Sequence, residues 1–204
     1  MSFLKNLFRN NKTNKSEFSE SLILVTINDK IMPIDRGEIY EDPLDDYIQA
    51  NRIGEVTGGG TLQKETGEIE YCDIEIRLND EKIIDNDIEL IIDKLEELGA
   101  PKGSKLTIKT TDQTIQFGKK EGLGIYLDGV NLDADVYKNS DSNVVVSEIK
   151  KLVNDNSEIV RYWEGENETG LYFYSDSFDK MTKSINEFLN KYPLCKGARI
   201  ERIA

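Results

Sequence analysis

Apolar positions along this chain come in short clusters, and their spacing switches between the strand period of two and the helical period of three to four. "SLILVTI" (21–27) is apolar on both faces and reads as a central strand covered on both sides. In "DPLDDYIQAN" (42–51), Asp42 has the chemistry of an N-cap and Pro43 that of a first helical residue. Leu44, Tyr47 and Ile48 then share one face. Arg52 to Thr57 reads as a connection into the glycines that follow. From Ile69 to Leu78, Cys72, Ile74, Ile76 and Leu78 alternate with Tyr71, Asp73, Glu75 and Arg77, the pattern of a strand with one buried face. Ile88, Ile91, Ile92, Leu95 and Leu98 form one helical stripe that Gly99 and Pro101 stop, and "SKLTIKT" (104–110) is a strand.

The remainder repeats this order. "GLGIYLDG" (122–129) is a strand. Asp141 or Ser142 caps a helix carrying Val145, Ile149, Leu152 and Val153. "EIVRYWEG" and "GLYFYS" make a hairpin across "ENET". Met181, Ile185, Phe188, Leu189 and Tyr192 line a second helix, and "ARIERI" closes as a strand. Leu95 precedes Lys102-Gly103 as Leu189 precedes Lys196-Gly197, a textual trace of duplication.

The order β-α-β-β-α-β, read twice, resembles tandem ferredoxin-like modules and implies an α+β fold of two mainly antiparallel sheets, each with helices on one face. The expected divisions are a basic amphipathic tail (1–19), an acidic module (20–110), a linker or β-arm (111–121) and a second module (122–204). "GEVTGGGT", "GEIEYCDIEI" and the closing "YPLCKGARI" also resemble an uncharacterised bacterial family of small cytosolic proteins. That resemblance supplies no catalytic residue.

Charge changes the picture more than composition does. Residues 1–16 carry Lys5, Arg9, Lys12 and Lys15 and no acid, whereas residues 17–118 carry 24 acidic against 10 basic side chains. Such a half repels phosphate backbones and attracts basic proteins, so a basic protein partner is expected and nucleic acid is not. The tail places Phe3, Leu4, Leu7 and Phe8 on one helical face. It reads as a weak membrane-surface anchor, as a frayed end, or as a short helix docked on the body or another subunit.

Histidine is absent, which removes Ser–His and Cys–His nucleophiles and His-ligated metals. Cys72 and Cys195 form no CxxC pair. Reduced thiols in a cytoplasmic protein are expected, with no cofactor and no metal. No apolar run approaches the ~20 residues a bilayer crossing needs.

Gly58, Gly59 and Gly60 pose a choice between a phosphate cradle and a bend. A cradle needs a helix start behind the glycines. Thr61, Leu62 and Gln63 follow instead, then another strand, which favours a bend with positive φ, a bulge or a sharp twist. Asp73 and Glu75 share a strand face about 7 Å apart. With Asp45 and Asp46 they are the candidate partner-binding acids. They are also the only candidates for carboxylate or metal catalysis, and no catalytic residue is assigned. Tyr71, Tyr126, Trp163, Tyr172 and Tyr174 fall on open sheet faces. Such rings can stack bases, but the charge opposes it, and cover by the other module or another subunit is the competing reading.

Three functional readings follow: a non-catalytic protein-binding module of inhibitor or immunity type, an ACT-like sensor of small molecules at a module or subunit interface, and, more remotely, a carboxylate- or metal-dependent enzyme.

Overall fold

A computed structural model describes residues 21–79, 85–155 and 157–204; the basic amphipathic tail lies outside the described residues. The first sheet contains β1 (Leu22–Ile27), β2 (Gly54–Gln63), β3 (Ile69–Leu78), β4 (Ser104–Ile108) and β5 (Gln113–Phe117), ordered β2-β3-β1-β4-β5. The second contains β6 (Glu121–Asp128), β7 (Arg161–Glu164), β8 (Glu168–Ser175) and β9 (Arg199–Arg202), ordered β7-β8-β6-β9. Every strand pairing within them is antiparallel. The first four strands of the chain and the last four take the same order in their sheets. The chain is two tandem ferredoxin-like modules, the first widened by β5 at its edge.

Two separate cores result. Ile23, Val25 and Ile27 of β1 meet Cys72, Ile74 and Ile76 of β3, and Leu44, Ile48, Ile91 and Leu95 of the helices close over them. Leu123, Ile125 and Leu127 of β6 meet Leu171 and Phe173 of β8 under Val145, Ile149, Met181 and Ile185. Those helices are α5 (Ser142–Val153) and α6 (Phe178–Lys191). Asp141 is the cap of α5, accepting from the Asn143 N–H at 2.8 Å. Gly103 and Gly197, the matched glycines of the two halves, both adopt positive φ (84° and 77°) ahead of the last strand of each βαββαβ unit.

Three local expectations are corrected. The first helical run begins at Pro33, not at Asp42. It comprises α1 (Pro33–Arg36), a π-helical turn (Gly37–Glu41) and α2 (Asp42–Ala50). Asp42 is helical and donates its N–H to the Gly37 carbonyl, five residues back. Pro43 therefore sits inside the run, where its missing N–H and its ring disturb the α-ladder. The widened turn immediately before it accommodates that disturbance.

The second correction concerns the glycines. Arg52 to Thr57 is not a connection and Gly58–Gly60 is not a bend. β2 runs through all three glycines, with a register shift between Val56 and Gly58. None of the three takes positive φ. The physical demand is close approach. A Cβ on Gly59 would collide with the Glu41 carboxylate and lie 2.8 Å from the Asp73 carbonyl oxygen. Arg36 and Glu41, paired at 2.6 Å, occupy that space, and Arg36 also donates to the Gly60 carbonyl and the Thr61 hydroxyl, both at 2.7 Å.

The third is an addition. The helix α4 (Ala134–Asn139) interrupts the expected path between β6 and α5. α3 (Asp85–Glu97) and the hairpin of β7 and β8 lie where the sequence pattern puts them.

Candidate functional site

Alternation in β6 and β8 sends Leu123, Ile125, Leu171 and Phe173 toward the helices and leaves Tyr126, Tyr172 and Tyr174 on the opposite face. In β7, Trp163 lies across from Gly170 and shares their face, whereas Tyr162 lies across from Leu171 on the helical side. The rings need flat ground. A Cβ on Gly170 would meet the Tyr172 ring, and one on Gly124 would approach the Tyr126 ring to 3.1 Å. Tyr126 and Tyr172 meet edge to face, 6.0 Å between centroids.

This face is closed. The segment after β1 and the hairpin between β2 and β3 press one end of the first module onto it. Glu68, at the base of that hairpin, is 5% exposed. It accepts hydrogen bonds from the Tyr172 hydroxyl at 2.8 Å and the Tyr126 hydroxyl at 2.9 Å, and pairs with Lys64 at 2.7 Å and Lys30 at 3.0 Å. Asp29 is 1% exposed; Arg161 donates to its two oxygens at 2.7 and 2.9 Å, and the Tyr40 hydroxyl at 2.9 Å. The Lys30 N–H donates to the Tyr174 hydroxyl at 3.0 Å, and the Trp163 indole N–H to the Thr66 carbonyl at 3.0 Å. Arg199 lies over the Tyr126 ring at 3.9 Å and holds Glu168 with two hydrogen bonds.

The electrostatics match a filled joint. Burial alone would raise the Glu68 carboxyl. The hydrogen bonds from Lys64, Tyr172, Lys30 and Tyr126 outweigh it and hold the group at about 2. Burial, and then the bond to Glu68, push the Tyr126 and Tyr172 hydroxyls upward. Burial lowers the Lys30 ammonium despite its pairing with Glu68. Burial would also lower Arg161, but Asp29 outweighs it and holds the guanidinium charged. Among the described residues no buried side-chain polar atom lacks a partner. Asp29, Lys30, Glu68 and Arg161 are the residues that sequence reasoning passes over. Asp29, Lys30 and Glu68 lie in connections beside strands and Arg161 opens β7, and nothing local marks any of them.

The four candidate acids do not form one surface. Asp73 and Glu75 lie on the open face of the first sheet, across from Thr26 and Leu24 of β1. Asp73 accepts from the Thr26 hydroxyl at 2.6 Å, and Glu75 is exposed beside Gly58. Asp45 ties α2 to β2, accepting from the Val56 N–H at 2.8 Å and from the Gln49 amide at 2.6 Å. Asp46 is exposed on the helical layer, on the other side of the sheet from Asp73 and Glu75. Tyr71 is on the open face of the first sheet, beside Leu62, and does not join the other aromatics.

The helical layer carries an acidic array that the sequence pattern contains but the candidate residues sample only at Asp46. Asp42 and Asp46 are exposed in register on α2, preceded by Glu38. Asp85, Glu89, Asp93 and Glu97 are exposed at four-residue steps along α3, which packs beside α2. Among the described residues, the two basic side chains within these helices are engaged. Arg36 is buried on Glu41, and Lys94 reaches Glu97 at 3.4 Å and the Tyr47 ring at 5.6 Å. Like charges at four-residue spacing cost a helix about 0.2–0.5 kcal/mol per pair, so each row opposes its own helix.

No family model matches the chain, and no curated protein does. Among solved structures, an unknown protein from Galdieria sulphuraria overlays with a TM-score of 0.27 at 10% identity, covering 90% of this chain and 96% of that one. The first two RRM domains of yeast Poly(U) Binding Protein overlay with a TM-score of 0.21 at 16% identity, covering 89% and 99%. Neither overlay bears on function. No helix among the described residues is long and apolar enough to cross a membrane.

Proposed function

We propose that this chain is a non-catalytic protein-binding module that captures a basic protein partner on the outer face of α2 and α3, as an inhibitor or immunity-type protein would. The observation that carries the reading is the double row of exposed acids, Asp42 and Asp46 on one helix and Asp85, Glu89, Asp93 and Glu97 on its neighbour. Each row costs its helix stability, and a cationic surface laid across both would offset that cost and associate quickly through electrostatic steering. The closed aromatic face supports the same reading against nucleic acid: Tyr126 and Tyr172 have no free face for a base. A small-molecule sensor gains less support, because the groups at the module joint are already satisfied by one another. A cytoplasmic setting, and kinship with small bacterial cytosolic proteins, belong to this proposal.

The test compares the wild type with Asp46→Lys/Glu89→Lys/Asp93→Lys in affinity capture at low and high salt. The proposal expects basic proteins retained by the wild type at low salt, released at high salt and lost in the variant. Retention of the same partners by the variant, or capture insensitive to salt, would overturn it.

A further inference from the structure

We propose that the open face of the first sheet docks a second copy of this chain, in a weak symmetric dimer that sets Lys105 of each copy against Asp73 of the other. The strand registers put the side chains of this face in matched rows. Gln116 of β5, Lys105 of β4, Thr26 of β1, Asp73 of β3 and Gly60 of β2 form one row. Thr114, Thr107, Leu24, Glu75 and Gly58 form the next. Lys105 and Asp73 are therefore two strands apart, about 10 Å, too far to pair within one chain. Asp73 accepts from the Thr26 hydroxyl, and no ion pair engages Lys105 or Glu75 among the described residues. Opposite charges thus stand on either side of β1 at one level, each without its counterpart.

A twofold axis along β1 supplies the counterparts. It lays β1 on the partner's β1, β3 on the partner's β4 and β2 on the partner's β5, each row over the same row. Lys105 and Asp73 then meet twice, once on each side of the axis. Leu22 and Leu24, both half-buried, pack on those of the partner. An axis across the strands would instead lay β3 on β3, acid against acid, and like charges oppose it. The glycines fit the same axis, because Gly58 and Gly60 fall over the partner's Thr114 and Gln116. A Cβ on Gly60 would meet nothing within 4 Å, and one on Gly58 only the Glu75 carboxylate at 3.9 Å. Neither glycine has positive φ, so no described residue requires glycine at either position. Close approach by another surface does. At the level of Leu22, Arg77 nears the partner's Lys109, and Glu55, paired with Arg77, offsets that contact. Five strands about 4.8 Å apart and about 20 Å long give each copy roughly 500 Å² to bury. That lies at the lower edge of specific interfaces and fits a dimer that forms at tens of micromolar.

The test is sedimentation equilibrium of the full chain at low salt, from micromolar to millimolar concentration. The proposal expects a concentration-dependent dimer. Lys105→Glu and Asp73→Lys each bring like charges together at both contacts and should weaken it about tenfold or more. An equimolar mixture of the two variants places opposite charges at both contacts of the mixed dimer and should associate as the wild type does. Gly60→Val, whose Cβ meets nothing in its own chain, should keep the native circular dichroism and weaken the dimer several-fold. Asp46→Lys/Glu89→Lys/Asp93→Lys, on the helical side, should leave it unchanged, which separates this outcome from failure of the partner proposal. A wild type monomeric throughout, charge variants that dimerise normally, a mixture that stays monomeric, or a Gly60→Val dimer as strong as the wild type would each overturn it.

Discussion

Glu68 shows how one side chain can join two modules. Its carboxylate gathers two tyrosine hydroxyls from the second module and two lysines from the first. Its folded value of about 2 lies below the ordinary 4.5. The stability it contributes is thus complete above pH 4.5 and is lost as pH falls through about 2. Glu68→Gln leaves Lys30 buried without its counter-charge, and a loss of about 3 kcal/mol is expected from the breaking of a buried pair. Urea denaturation at neutral pH checks the loss, and the variant should show a flatter stability profile between pH 4.5 and 2 than the wild type. An unchanged profile would remove Glu68 from this role. Gly59 and Gly60 make a second contrast. Gly59→Ala pushes a methyl group into Glu41 and the Asp73 carbonyl, for an expected cost of about 1–3 kcal/mol. Gly60→Ala meets nothing within 4 Å and should stay within about 0.5 kcal/mol. Equal effects would mean that the glycines serve flexibility and not the Arg36–Glu41 contact.

At the scale of elements, period is legible wherever a strand or helix has one buried side. Ile69–Leu78, the stripe of α3 and the tyrosines of β6 and β8 declare their faces for that reason. β2 does not, because "GEVTGGGTLQ" lacks large apolar alternation and its glycines answer to Arg36 and Glu41, 18 to 24 residues earlier in the chain. Pro43 misleads in the same way. Proline is commonest at helix starts, and only the π-turn before it, invisible in composition, makes room for one inside. The acids proposed to meet a partner are half legible. Asp46 belongs to the helical array, but Asp45 and Asp73 read as free acids although each is spent on an internal hydrogen bond. The α3 row yields its own prediction. Glu89→Lys turns two repulsive four-residue pairs, with Asp85 and Asp93, into attractive ones and should stabilise the protein by about 1–2 kcal/mol at low salt. The gain should shrink in high salt, as thermal unfolding at two ionic strengths would show. A destabilised variant would mean that the row is already balanced within the molecule.

For the whole molecule, the joint between modules decides what remains for recognition. The second sheet's aromatic face is legible as a face needing cover, but its cover is not: Glu68 reaches Tyr172 across 104 residues, and Asp29 reaches Arg161 across 132. With those rings sealed, the exposed acids of α2 and α3 are the surface that the proposed partner would meet. Trp163 is the only tryptophan in the chain, and it sits in the joint, bonded to Thr66. Its fluorescence therefore reports separation of the modules, while far-UV circular dichroism reports the helices and sheets of both. Equilibrium urea unfolding of the wild type followed by both signals should give a single shared midpoint. A Trp163 transition completed at lower urea, with the circular dichroism still native, would show that the modules part easily and would contradict the sealed face.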